Sequence, residues 1–372
     1  MGAAVRRVRR NSPDNDCMIS PNESRRGVCI VAVGAKTAVG MSAPAAAAAI
    51  DAGIPGFTEH PFVIDRTGEP MIVASSPDLS DTQSGAERYL SLAIEPAREA
   101  LNPLISFRRE IGSVPLYLGL PPDRPGRPLD LEQRIVDTIS SDLQVGPSAV
   151  ISTGHAAGLM ALESAARRVA NGSAEFCLSG GVDSYLEPET LEWLEANAQL
   201  HNGENPYGFI PGEAAGFCLL CLAKTAERRH LRPLAYIASA ATSRETKLIK
   251  SDDVCLGTGL TEVFHKVFAD LPSPTKKIEF TVCDMNGEPY RADEYGFTIA
   301  RLSQRFVDAS GFIAPADCWG DVGAASGPLF VNLASAGRNR SRAEAEYSLL
   351  WTSSEGGERC AVILQHEGGV GT

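Results

Sequence analysis

The run Ser152-Thr153-Gly154-His155-Ala156-Ala157-Gly158 sets one imidazole among small residues. Ala149 to Ser152 reads as a short strand, and His155 to Asn171 as a long helix. A strand, a tight turn through Gly154 and a helix form an elbow. Such an elbow aims residue 155 at a helix N-terminus, where partial positive charge lies. The small neighbours allow close backbone approach. A helix N-terminus disfavours a protonated histidine, so a neutral imidazole able to take a proton is expected. Taken alone, the same residues would serve any tight strand-to-helix connection.

Other reactive side chains carry less. Cys218 and Cys221 form a C-x-x-C, but within the apolar run 216–222, which reads as a strand. Residues three apart on a strand face opposite sides, so buried cysteines are expected rather than a zinc or redox pair. His60, His201, His230, His265 and His366 are far apart and lack H-x-x-x-H spacing, so no metal site is expected. Glu187, Glu189, Glu192 and Glu195 read as a solvated helix face.

The elements that must hold these residues alternate. Strands are expected at 28–33, 114–120, 149–152, 174–179 and 217–223, then at 234–240, 278–283, 347–352 and 361–365. Helices are expected at 43–52, 87–101, 129–140, 155–171, 260–271, 292–306 and 323–335. Short apolar runs between helices imply an α/β fold with mostly parallel pairing. The pattern allows two similar halves, 27–225 and 226–372. Residues 1–26, with Arg6, Arg7, Arg9 and Arg10 clustered, read as a disordered basic tail. Arg25-Arg26 precede a stretch of only strand length, which reads as the first core strand rather than a signal segment.

The bulk numbers exclude some functions. The 372 residues are 44% hydrophobic, enough for a sizeable core. A net charge of -12 disfavours nucleic acid as a partner. No run of 18 apolar residues exists, so no membrane span is expected. Nine scattered cysteines fit reduced thiols in a cytoplasm.

Three segments, in order, resemble the β-ketoacyl synthase branch of the thiolase-like superfamily. The first runs from Ser152 through Gly158 and its helix to Gly172-Ser173-Ala174-Glu175 and Leu178-Ser179-Gly180-Gly181-Val182-Asp183. The second is Gly208-Phe209-Ile210-Pro211-Gly212-Glu213-Ala214-Ala215-Gly216. The third is Trp319-Gly320-Asp321-Val322-Gly323-Ala324-Ala325-Ser326-Gly327. The resemblance covers roughly residues 27 to 366. It implies an αβαβα layered fold made of two similar halves, and a homodimer.

The same resemblance locates a departure. The family's nucleophilic cysteine is matched by His155, and its two histidines by Asn286 and Asp321. The late glycine loop is matched by Ser354-Glu355-Gly356-Gly357-Glu358, without its phenylalanine. An acyl-imidazole is far more labile than a thioester, and an ionised Asp321 would repel a growing oxyanion, whereas Asn286 could donate to one. Ordinary Claisen condensation is therefore not expected, and no cofactor is implied.

Two functions remain open. One is a non-catalytic scaffold or accessory protein. Residues 59–71 and 284–297 are similar to ketoacyl-synthase-like proteins encoded with type VI secretion systems, which implies a secretion effector or adaptor as partner. The other is a thioester hydrolase or acyltransferase acting on acyl-CoA or an acyl carrier. There Asp321 would orient His155 as general base, and Asn286 would hold the oxyanion.

Overall fold

The computed structural model describes residues 27–251, 253–336 and 345–367. The expected basic tail lies outside the described residues. Twelve strands form: β1 (Val28–Lys36), β2 (Thr58–Ile64), β3 (Pro70–Val73), β4 (Val114–Gly119), β5 (Val145–Ile151), β6 (Phe176–Ser184), β7 (Glu213–Leu222), β8 (Ala235–Arg244), β9 (Phe280–Cys283), β10 (Phe312–Ile313), β11 (Tyr347–Ser353) and β12 (Glu358–Gln365). The helices are α1 (Ala43–Asp51), α2 (Gly85–Leu101), α3 (Leu131–Leu143), α4 (Ala157–Ala170), α5 (Pro188–Ala196), α6 (Ala223–Arg228), α7 (Thr258–Ala269), α8 (Pro289–Leu302), α9 (Ala316–Trp319) and α10 (Ser326–Ser335).

The strand order repeats. The first five long strands lie as β1-β7-β6-β4-β5, and the second five as β8-β12-β11-β9-β10. Pairing is mixed rather than mostly parallel as expected, and its senses match as well. β1/β7 and β6/β7 are antiparallel and β4 is parallel to both its neighbours; β8/β12, β11/β12 and β9 repeat that pattern. The two sets meet where Cys29 and Ile30 pair with Tyr236 and Ala235, giving a ten-stranded sheet.

Alternation along the strands sorts side chains into layers. On β7, Phe217, Leu219 and Cys221 join an outer cluster with α2 and α3, whereas Cys218 and Leu220 join a central one. On β12, Cys360, Val362 and Leu364 face that same central cluster, with α1, α4 and α10. Ala361 and Ile363 face a second outer cluster with α7 and α8. Both strand sets are thus buried on both faces, which is why their sequences read as continuous apolar runs. Cys218 and Cys221 do point to opposite sides and share no ligand position.

Close approach in the central layer depends on glycine. A Cβ at Gly158 would lie 2.5 Å from Pro328 Cδ and 2.6 Å from the Ala324 carbonyl oxygen. Gly181 meets that same carbonyl from β6. The hairpin β2/β3 was not anticipated from sequence. Its short, half-exposed strands carry too few apolar residues for a period to emerge.

Candidate functional site

The site residues follow the C-terminal ends of strands from both halves. His155 follows β5, Asp284 and Asn286 follow β9, and Ser354 follows β11, whereas Asp321 follows the short helix α9. Gly154 turns the chain with φ +81°, a conformation that favours glycine. The elbow forms, but α4 begins at Ala157, so His155 lies in the turn before the helix rather than inside it.

The three residues singled out by sequence come together. His155 Nε2 lies 2.8 Å and 2.9 Å from the two carboxylate oxygens of Asp321. Asn286 Nδ2 donates to Asp321 Oδ2 at 2.6 Å, and the Gly323 amide donates to Oδ1 at 2.9 Å. Asn286 also donates to Glu288 at 3.1 Å. Its amide protons are therefore already committed to carboxylates, contrary to the role of oxyanion donor expected for it.

A fourth residue decides the electrostatics. Arg291, in the first turn of α8, is buried and bonds Asp284 at 2.9 Å, the Ser353 carbonyl at 2.9 Å and Glu288 at 3.1 Å. Its remaining nitrogen lies 3.2 Å from His155 Nε2 and 3.5 Å from Nδ1. Near-equal distances to both ring nitrogens leave neither aligned with it as an acceptor. The guanidinium packs against the imidazole as a neighbouring cation. Burial opposes the charge on Arg291, but Asp284, Glu288 and Asp321 outweigh it and raise its pKa.

The surroundings of His155 favour its protonated form. Burial lowers its pKa, but the charge of Asp321 and the hydrogen bond to it outweigh burial and the opposing Arg291. Asp321 shifts the other way. Burial alone would raise it, whereas His155, Arg291 and the Gly323 amide hold it well below the ordinary carboxylate range. This direction runs against the neutral imidazole expected from the helix terminus: an adjacent carboxylate outweighs a helix end that starts two residues later.

The expected glycine loop closes the site from the other side. Ser354 Oγ accepts the Ala156 amide proton at 2.9 Å, occupying a donor beside His155. Glu355 accepts from Gln199 at 2.7 Å and pairs with Lys250 at 3.0 Å. Lys250 also lies 4.3 Å above the Trp193 ring of α5. A narrow cavity touches Asp284, Asn286, Asp321, Trp319 and Phe330, with room for little more than a water molecule. Sequence reading missed Arg291, Gln199 and Lys250 as members of this site. The i, i+3 spacing of Glu288 and Arg291 was a usable signal for the first.

Other candidates separate. Glu187 is buried and accepts the Gly85 amide at 2.6 Å, and Glu195 holds Arg66 and Asn202. Only Glu189 and Glu192 of that stretch are fully exposed, so the solvated face is half of what was expected. Glu245, Cys255 and Glu294 cluster, but Glu294 is bound by Arg359 at 2.6 Å and Glu245 by the Gly259 amide at 2.7 Å. Those partners already hold the oxygens a metal would need.

The whole fold matches solved ketosynthases. The chain has the thiolase-like fold of the ketosynthases. One neighbour is a type II polyketide ketosynthase in complex with its acyl-carrier protein. It matches with a TM-score of 0.75 at 15% identity, over 92% of this chain and 99% of that one. A second is the ishigamide ketosynthase/chain length factor, with a TM-score of 0.70 at 18% identity, over 92% and 100%. Residues 138–226 match the family described as Beta-ketoacyl synthase, N-terminal domain. A protein named polyketide beta-ketoacyl synthase 1 in Streptomyces virginiae is 33% identical over 108 residues, 26% of each chain. An oxytetracycline polyketide beta-ketoacyl synthase 1 of Streptomyces rimosus is 32% identical over 108 residues, 26% of this chain and 25% of that one. The matched stretch thus spans about a quarter of these curated relatives. Among the described residues, no helix is long and apolar enough to cross a membrane.

Proposed function

We propose that this chain is a degenerate ketosynthase-like protein that does not condense acyl groups and acts as a scaffold or accessory protein. The observation that carries this reading is the position of His155 between Asp321 and Arg291. A general base needs an open lone pair, and a nucleophile needs an unprotonated one. A buried ring held by a carboxylate at Nε2, packed against a guanidinium and with its pKa raised, favours the protonated form, which offers neither. The donors of Asn286 and the Ala156 amide are both occupied.

The partner is a protein. The likeness of residues 59–71 and 284–297 to secretion-associated relatives supports a type VI effector or adaptor in the cytoplasm. The solved ketosynthase that carries its acyl-carrier protein supports a carrier as the other candidate. We take residues 27–225 and 226–372 as the two halves, a division the repeated strand order supports. β5 ends the sheet with one side unpaired among the described residues, which supports a homodimer joined along that edge.

The second reading, a thioester hydrolase, is favoured by the 2.8 Å contact of His155 with Asp321. One assay separates the two. Purified protein is incubated with acyl-CoA and malonyl-CoA, and free thiol release is followed. The scaffold reading expects no release above the background rate. Turnover abolished by His155→Ala would establish the hydrolase instead.

A further inference from the structure

Residues 59–71 build the hairpin β2/β3, which the site does not use. Its turn is fixed by Asp65, whose side chain accepts the Thr67 and Glu69 amides at 2.8 Å and 3.2 Å. His60 Nδ1 accepts the Phe62 and Val63 amides at 3.2 Å and 3.1 Å, which shapes the bulge in β2. The inner face is anchored. Val63 packs on the cluster of Met71, Val73, Leu191 and Leu194, and Arg66 bonds Glu195 of α5.

The outer face is different. Phe62 is 70% exposed and Ile64 is 67% exposed, and Pro61 beside them is exposed too. Phe62 and Ile64 lie two apart on β2, in and beside its bulge, and both side chains are open to solvent. Single exposed apolar residues need no explanation, but a pair held outward on a fixed hairpin marks an interaction site. The rim is acidic. Glu59 and Glu69 are both exposed on the hairpin itself. The hairpin's own base, Arg66, is already paired with Glu195.

We propose that the β2/β3 hairpin is the docking element for a protein partner that presents an apolar socket rimmed by lysine or arginine. The proposal rests on the scaffold reading and names the surface and partner chemistry that reading lacks. The apolar pair supplies the buried centre of the contact, and the carboxylates select a basic partner and speed its approach.

The test uses the full chain and two labelled peptides, one alternating lysine with valine and one alternating glutamate with valine. Binding is read by fluorescence anisotropy at low ionic strength. The lysine peptide should bind and the glutamate peptide should not. Phe62→Ser with Ile64→Ser keeps every charge and should weaken binding roughly tenfold or more, the scale of an apolar hot spot. Glu59→Lys with Glu69→Lys should weaken the lysine peptide and admit the glutamate one. Undiminished binding to the serine double variant would overturn the proposal, because attraction would then come from overall negative charge alone. Loss of self-association in that variant, seen by sedimentation, would also overturn it by making a second copy the occupant. None of these readouts involves thioesters, so failure here and failure of the scaffold reading remain distinguishable.

Discussion

Arg291 lies against the His155 ring, 3.2 Å from the same Nε2 atom that Asp321 holds at 2.8 Å. One imidazole is thus shared between a carboxylate and a guanidinium. His155 follows β5 of the first strand set, and Arg291 and Asp321 lie between β9 and β11 of the second. The cluster therefore ties the two strand sets together.

Asp321→Ala should be strongly destabilising. It leaves His155 and Arg291 buried beside each other without their shared counter-charge. Breaking a buried pair in this way costs about 3–5 kcal/mol. Urea unfolding of the variant against wild type measures it. A second change, His155→Gln, should recover part of the loss because it removes one unpaired cation. A change below about 1 kcal/mol for Asp321→Ala would contradict the buried ion pair.

Stability should decline on the alkaline side. The folded pKa of His155 is raised, so its contribution is fully present below the ordinary value near ~6.5 and fades as pH climbs through the raised value. The folded pKa of Asp321 is lowered, so its contribution is present above ~3.9 and fades as pH falls through the lowered value. The stability difference between wild type and Asp321→Asn should therefore be largest between about pH 4 and 6.5. A difference that stays flat into alkaline pH would show that His155 is neutral in the folded protein.

Restoring a thiol should not restore condensation. In His155→Cys the sulfur would sit at the elbow, but Asn286 still donates to two carboxylates and Ser354 still occupies the Ala156 amide. Mass spectrometry after incubation with acyl-CoA, followed by a malonyl thioester, should find no condensed product. An acylated thiol alone would show that the pocket admits substrate. Formation of a β-ketoacyl product would refute the argument from occupied donors.

Gly181→Ala should loosen the central layer. The added Cβ runs into the Ala324 carbonyl, a backbone atom that cannot rotate away. Overpacking of this kind costs about 1–3 kcal/mol. Thermal melts should show the loss, whereas Gly172→Ala meets no neighbour and tests only its φ of +75°. Equal melts for Gly181→Ala and wild type would mean that the β6 seam is looser than described.

The sequence by itself determined the layered fold and the identity of residue 155. Apolar runs too continuous for a half-exposed sheet required strands covered on both faces. Gly154 between a strand and an alanine-rich helix required an elbow. Those signals are local, because each lies within a few residues of the element it specifies. Tertiary structure alone decided the charge state of the site. His155 and Asp321 are 166 positions apart, and Arg291 reaches the ring from a third element, so no spacing rule relates them. Local reasoning placed His155 at a helix end and made it neutral. The folded chain starts that helix two residues later and sets a buried carboxylate against the ring, where desolvation and proximity make the pairwise charge the stronger influence.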